Sequence, residues 1–217
     1  MTLKARFNSK SIEQKILSRT NETIVRLRPR FNAAKEVALA KWIKSTFLNH
    51  PVTKEIQEGP SGSNITNSLG GYGNLFSFIG FQAGEDPIEP IIRYLHQEIS
   101  RGLIIKHARG SKQWFVTFKV PTLNGIASVS PMPWAPGRSW VTGIERGISG
   151  LGRYMYSDRA SLYGSSSGTA IQASKSMLGS LRTQNAMKPQ SYMSAILKVL
   201  IVDIKNEISR ELKSAKV

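Results

Sequence analysis

The sequence predicts an α+β fold, in which N- and C-terminal helices pack on a small, mainly antiparallel sheet and long loops or arms project from it. Three observations predict it. Apolar residues recur at helical spacing near both ends of the chain. Short runs rich in β-branched and aromatic residues lie between those ends, separated by turn residues. Glycine, proline, serine and asparagine gather into long stretches with no apolar period.

The first fifty residues read as helix. Ser9 or Ser11 can cap its start, with Ile12 and Ile16 on one face, and a second stripe runs Ile24, Leu27, Phe31, Ala34, Ala38 and Trp42. Pro29 should kink or divide this stretch. His50-Pro51 should end it near Asn49. Glu58 to Asn74 reads as a loop, punctuated by Gly59-Pro60 and Gly70-Gly71. Leu75 to Phe81 is a continuous apolar and aromatic run and reads as a buried strand. Gly84-Glu85-Asp86-Pro87 opens a helix, with Asp86 as N-cap, Pro87 as first helical residue, and Ile88, Ile91 or Ile92, Leu95 and Ile99 as its apolar face.

Leu103–His107 and Trp114–Val120 read as an antiparallel hairpin around Gly110. Ile126–Val129 can continue the sheet. Pro131, Pro133 and Pro136 interrupt the next stretch. Ser139–Ile148 fits a short helix or a strand, and Gly150–Tyr156 reads as a strand. Residues 157–188 are rich in Ser, Gly and Ala and read as an extended arm that orders on assembly, with a short helix near Ala170–Leu178. After Pro189 comes a strongly amphipathic helix with the stripe Met193, Ile196 or Leu197, Leu200, Ile204, Ile208 and Leu212. The organisation is one domain, with 1–156 as helical region plus sheet core, 157–188 as arm and 189–217 as terminal helix.

Composition narrows the function. The 217 residues are 40% hydrophobic and 20% charged, as in globular proteins, but the formal net charge is +16. A chain this basic attracts polyanions, acidic proteins or anionic surfaces. Cysteine is absent, which removes disulfides, thiolate catalysis and cysteine zinc sites. Residues 1–10 are basic without an apolar core and do not read as a signal peptide. No apolar run approaches the roughly 20 residues a membrane helix needs.

The sequence displays no catalytic, cofactor or metal pattern. His50, His96 and His107 are scattered, and His96 with Glu98 lacks the spacing that puts two ligands on one helix face. No serine sits in a G-x-S-x-G elbow and no phosphate-cradling glycine loop is present. The carboxylates at Glu55/Glu58 and Glu85/Asp86/Glu89 suit capping and solvated loops better than paired acid–base work. The chain therefore reads as a non-enzyme. Basic residues carry the signal instead. Arg26, Arg28 and Arg30 belong to a run of eight cations in the first thirty residues. Arg101, Lys106, Arg109, Lys112 and Lys119 surround the hairpin without an intervening acid. Of these, Arg26, Arg28, Arg30, Arg109 and Lys112 are the candidates to face DNA or an acidic partner. Trp114, Phe115 and Phe118 are of the types that stack on bases, and as strand residues they read as core.

Three segments resemble neck and tail-completion (head–tail connector) proteins of long-tailed bacteriophages. They are His50-Pro-Val-Thr-Lys-Glu-Ile56; Asn74-Leu-Phe-Ser-Phe-Ile-Gly-Phe81 with Gly84-Glu-Asp-Pro-Ile88; and Pro133-Trp-Ala-Pro-Gly-Arg-Ser-Trp140 running into Gly143-Ile-Glu-Arg-Gly-Ile-Ser-Gly-Leu-Gly-Arg-Tyr154. The resemblance covers roughly residues 30–160. It implies a structural virion protein, assembled in the host cytoplasm, that forms a ring at or below the head–tail junction. Six copies are the expected number and twelve the alternative. Its partners would be copies of itself and neighbouring neck, portal or tail proteins, with non-specific contact to genomic DNA and no membrane. Trp134, Arg138, Trp140, Glu145, Arg146, Arg153, Arg159 and Tyr163 combine aromatics, Arg and a carboxylate. They are the candidate subunit interface, because Trp, Tyr and Arg are enriched where interfaces concentrate their energy; the alternative for both tryptophans is the subunit's own core. A stand-alone basic nucleic-acid-binding protein is the rival function, and a small hydrolase would need an acid–base site that the sequence does not display.

Overall fold

A computed structural model describes residues 2–7, 20–68, 74–107, 114–133, 135–147, 154–156, 170–172 and 190–214. Along the chain the elements are β1 (Thr2–Phe7), α1 (Thr20–Trp42) with a π-helical turn Ile43–Phe47, α2 (Pro51–Gln57), a 3-10 turn Gly59–Ser61, α3 (Leu75–Ile79), α4 (Glu89–Ser100), β2 (Ile104–His107), β3 (Trp114–Lys119), α5 (Leu123–Ser128), β4 (Pro131–Met132), β5 (Ala135–Ser139), α6 (Trp140–Arg146), β6 (Tyr154–Tyr156), β7 (Ala170–Gln172) and α7 (Met193–Ser214). The fold is α+β, mixing helices with small antiparallel sheets. The chain divides into two compact units. Unit 1 comprises Met1–Ser45, Arg93–Thr122 and Leu197–Val217; unit 2 comprises Thr46–Ile92 and Leu123–Ile196.

Unit 1 holds a three-stranded sheet in the order β1-β3-β2, antiparallel throughout. The expected hairpin is present as β2 and β3, with Ile105 opposite Val116 and His107 opposite Trp114. The start of the chain departs from the expected helix: residues 2–7 form β1 at the sheet edge, pairing Thr2 with Lys119 and Phe7 with Trp114. Their period-two pattern, Leu3, Ala5 and Phe7 apolar, belongs to a strand. Helix α1 runs unbroken through Pro29. Proline removes the bond to the carbonyl of Val25, but both residues are exposed, so water can take up that carbonyl and the cost of the break is small. The buried side of α1 is the predicted stripe, with Leu27, Phe31, Ala34, Ala38 and Trp42 at most 6% exposed. Arg30 ties α1 to α7: its guanidinium donates to Glu211 Oε2 at 3.0 Å and to Ser214 Oγ at 2.9 Å. Lys35 is fully buried and donates from Nζ to the Ile99 carbonyl at 2.7 Å, near the C-terminal end of α4 where a cation is favoured. Burial pushes its pKa down, against the pull of Glu36 beside it.

Unit 2 is built around short helices. Leu75–Ile79 is helix α3, not the strand expected from its apolar run. Asn74 caps it by accepting from Ser77 N at 2.9 Å, and Gly80 ends it in the left-handed region at φ 92°. All five residues of α3 are buried, so the run carries no one-sided period, and a continuous apolar run alone does not separate a buried helix from a strand. Ile126–Val129 likewise belongs to a helix and its trailing turn, α5, and not to a sheet. Within the stretch that fits a helix or a strand, Trp140–Arg146 forms helix α6, with the Ser139 hydroxyl accepting from Thr142 N at 3.2 Å. Helix α4 begins at Glu89, later than expected: Pro87 lies ahead of it and is not its first residue, and Asp86 Oδ1 accepts from Ile88 N and Glu89 N at 3.0 and 3.1 Å in the turn that leads into the helix. Ala170–Gln172, expected to start a helix, is strand β7 paired with β6; the rest of the expected arm and helix lies outside the described residues.

Candidate nucleic-acid interface

The division into units sorts the charge. The residues of unit 1 include 22 Lys or Arg against 7 Asp or Glu, a net of +15, whereas unit 2 has 8 against 7, a net of +1. Nearly the whole excess of +16 therefore belongs to one unit, a concentration that composition alone conceals.

Within unit 1 the sheet has two unlike faces. On central strand β3, Val116 and Phe118 are 2% and 0% exposed, and Ile105 of β2 is buried beside them. The alternate residues, Phe115 and Thr117, are partly exposed and Lys119 is exposed. Phe115 therefore departs from the core role expected of it, because strand alternation sends it to the face opposite Phe118. Register places Lys106 of β2 and Arg6 of β1 directly across from Phe115, and Ile104 and Lys4 across from Thr117. None of the three strands contains an acidic residue. Among the described residues, no carboxylate lies within ion-pair distance of exposed Lys106 or Lys119.

The basic candidates on α1 separate. Arg26 and Arg28 are exposed, while Arg30 is held by Glu211 and Ser214 and so braces the fold. Arg109 and Lys112, between β2 and β3, lie outside the described residues. Val25 and Val37, 73% and 57% exposed on α1, were not anticipated; two valines off the apolar stripe were the available signal.

The candidate interface residues separate too. Arg138 and Arg146 are exposed. Trp140 is 1% exposed and fills the core of unit 2, edge-on to Phe81 with centroids 6.0 Å apart and stacked on Tyr192 at 6.4 Å. It therefore offers no surface to a second subunit. Glu145 is committed within the chain: Oε1 accepts from Ser194 N at 2.6 Å and Tyr192 N at 3.3 Å, and Oε2 from the Ser194 hydroxyl at 2.6 Å. It thus caps α7 from α6, where a negative charge complements the helix dipole. Trp134, Arg153, Arg159 and Tyr163 lie outside the described residues.

The polar groups around Tyr192 are structural in their geometry. Its hydroxyl shares a hydrogen bond with Thr53 Oγ1 at 2.8 Å, and burial raises its pKa well above the usual phenol value. His50 packs against its ring at 4.8 Å and caps α2, Nδ1 accepting from Val52 N at 3.3 Å. Burial lowers the His50 pKa, with Glu145 pulling the other way. Glu55, fully buried, accepts from Leu75 N at 2.7 Å and Thr66 N at 2.8 Å, and Asn74 Nδ2 donates to the carbonyls of Gly59, Pro60 and Gly62. His96 forms an exposed pair with Glu36 at 3.2 Å. Among the described residues no cluster of three or more His, Asp or Glu is placed to hold a metal ion, and no helix is long and apolar enough to cross a membrane.

No family model matches the chain, and neither a curated protein nor a solved structure matches it.

Proposed function

We propose that this chain is a structural virion protein of the neck or tail-completion region of a long-tailed bacteriophage. It acts without catalysis or cofactor. Copies close into a ring, six in number with twelve as the alternative, that joins head or portal components to the tail and surrounds the DNA path. The three segments that resemble neck and tail-completion proteins supply the location. The observation that carries the mechanism is the partition of charge between a unit of +15 and a unit of +1.

Such a partition suits a division of labour. The basic unit meets genomic DNA through phosphates, without reading sequence. The nearly neutral unit 2 carries exposed Arg138 and Arg146 on and beside α6, and these meet neighbouring subunits. A closed ring needs two different complementary patches per subunit. In this reading the terminal helices pack on the sheet as the body of the subunit.

The charge partition also favours a second reading, a stand-alone nucleic-acid-binding protein. Measuring the mass of the purified chain with and without DNA separates them, since that reading requires a salt-sensitive complex of a monomer or dimer. The ring reading predicts that Arg138→Glu and Arg146→Glu each block assembly while changing subunit stability by less than about 0.5 kcal/mol, as surface substitutions do. Particles that assemble normally with both variants would remove the interface from the proposal.

A further inference from the structure

We propose that the open face of the three-stranded sheet in unit 1 binds single-stranded nucleic acid, with a base stacked on Phe115 and phosphates held by the cations around it. An aromatic ring on the solvent side of a central strand has no role in the buried face, which Val116 and Phe118 already occupy. Phe115 is partly exposed, and it is bracketed in register by a cation on each neighbouring strand, Arg6 on β1 and Lys106 on β2. Lys119 follows on its own strand, exposed, and Lys4 stands at the register position across from Thr117. No acid interrupts the three strands. A stacking platform inside a basic track is the arrangement that binds single strands with little sequence preference, because every base has a π-face and every nucleotide a phosphate.

The occupant is identified by both halves of the site. Duplex DNA offers phosphates but keeps its bases stacked inside, leaving Phe115 without a partner. An acidic peptide would answer the lysines and leave the ring unused. A single strand answers both. The sheet lies within unit 1, so the inference holds whether or not the chain closes into a ring. Failure of strand binding leaves the ring reading standing, and absence of a ring leaves this inference standing.

The test is fluorescence anisotropy on the full chain at one fixed salt concentration. The probes are a 20-nucleotide oligothymidylate, the same strand in duplex with oligoadenylate, and polyglutamate. Oligothymidylate should bind more tightly than either of the others. Phe115→Ala and Phe115→Leu should weaken it roughly ten- to a hundredfold, the effect of losing a stacked base. Phe115→Trp, which keeps a stacking ring, should retain binding. Polyglutamate binding should be unchanged by all three, and Lys106→Glu should weaken both ligands because it removes a phosphate or carboxylate contact. Urea unfolding of each variant checks that the sheet persists. The inference is overturned if oligothymidylate does not bind, if folded Phe115→Leu binds it as the parent does, if Phe115→Trp loses it, or if polyglutamate falls in step with it.

Discussion

Replacing Glu145 with alanine should cost about 2–4 kcal/mol of stability, the loss of a helix cap together with charge-assisted bonds. The carboxylate serves three donors at the start of α7: Tyr192 N, Ser194 N and the Ser194 hydroxyl. Alanine leaves two backbone donors and a hydroxyl to find water at a partly buried site. The bonds share one carboxylate, so their costs do not add fully. Glutamine distinguishes geometry from charge. Its amide oxygen can take the Oε1 position and serve both backbone donors, while its amino group faces a hydroxyl that can turn to accept. Glu145→Gln should therefore cost only about 1 kcal/mol, the charge-assisted part of the interaction. For a chain of this size the urea m-value is about 2–3 kcal/mol/M, so the alanine midpoint should fall by roughly 0.7–2 M. Urea denaturation followed by tryptophan fluorescence reads this change, since Trp140 lies in the same core. An alanine midpoint equal to the parent's would refute the capping role and return Glu145 to the candidate interface. Equal damage from glutamine and alanine would show that charge, not bond geometry, does the capping.

Asn74 offers a sharper substitution, because its two halves do different work. Asn74→Asp keeps the acceptor that caps α3 but sets a carboxylate against the carbonyls of Gly59, Pro60 and Gly62; it should cost more than Asn74→Ala, at least about 2 kcal/mol, and parity with the parent would mean that the donor side contributes nothing. His50 makes stability depend on pH. Its folded pKa lies below the ordinary histidine value, so the unfolded chain binds more protons and stability falls as pH drops from about 6.5 through the folded pKa. His50→Asn, which keeps a capping acceptor, should flatten that slope in unfolding measurements between pH 7.5 and 5. A slope unchanged by the substitution would assign it to another group.

The elements legible in the sequence were those with a one-sided pattern or punctuation of their own. The stripes of α1 and α7, the hairpin of β2 and β3, and the apolar face of α4 can each be read locally. The misses share a cause in long-range structure. Strand β1 gains its identity from β3, more than a hundred residues later, and the run Leu75–Ile79 gives no period because every side is buried. The candidate site was half legible. Its charge is plain in composition, but its concentration in unit 1 depends on how three separate stretches come together. Phe115 and Phe118 are three positions apart and look alike in the sequence, yet register sends one to solvent and the other to the core. Trp140 and Glu145 carry residue types suited to an interface, but a buried ring and a helix cap use the same chemistry inside one chain.

The proposed closed assembly at a junction of head and tail can be seen or ruled out by electron cryo-microscopy of phage particles assembled with this chain. The reconstruction should show a closed ring of this 24.0 kDa chain, with six copies around the DNA path and α6, bearing Arg138 and Arg146 at and near its ends, against a neighbouring subunit. An isolated monomer or dimer at that position, or particles that lack the chain altogether, would contradict the ring.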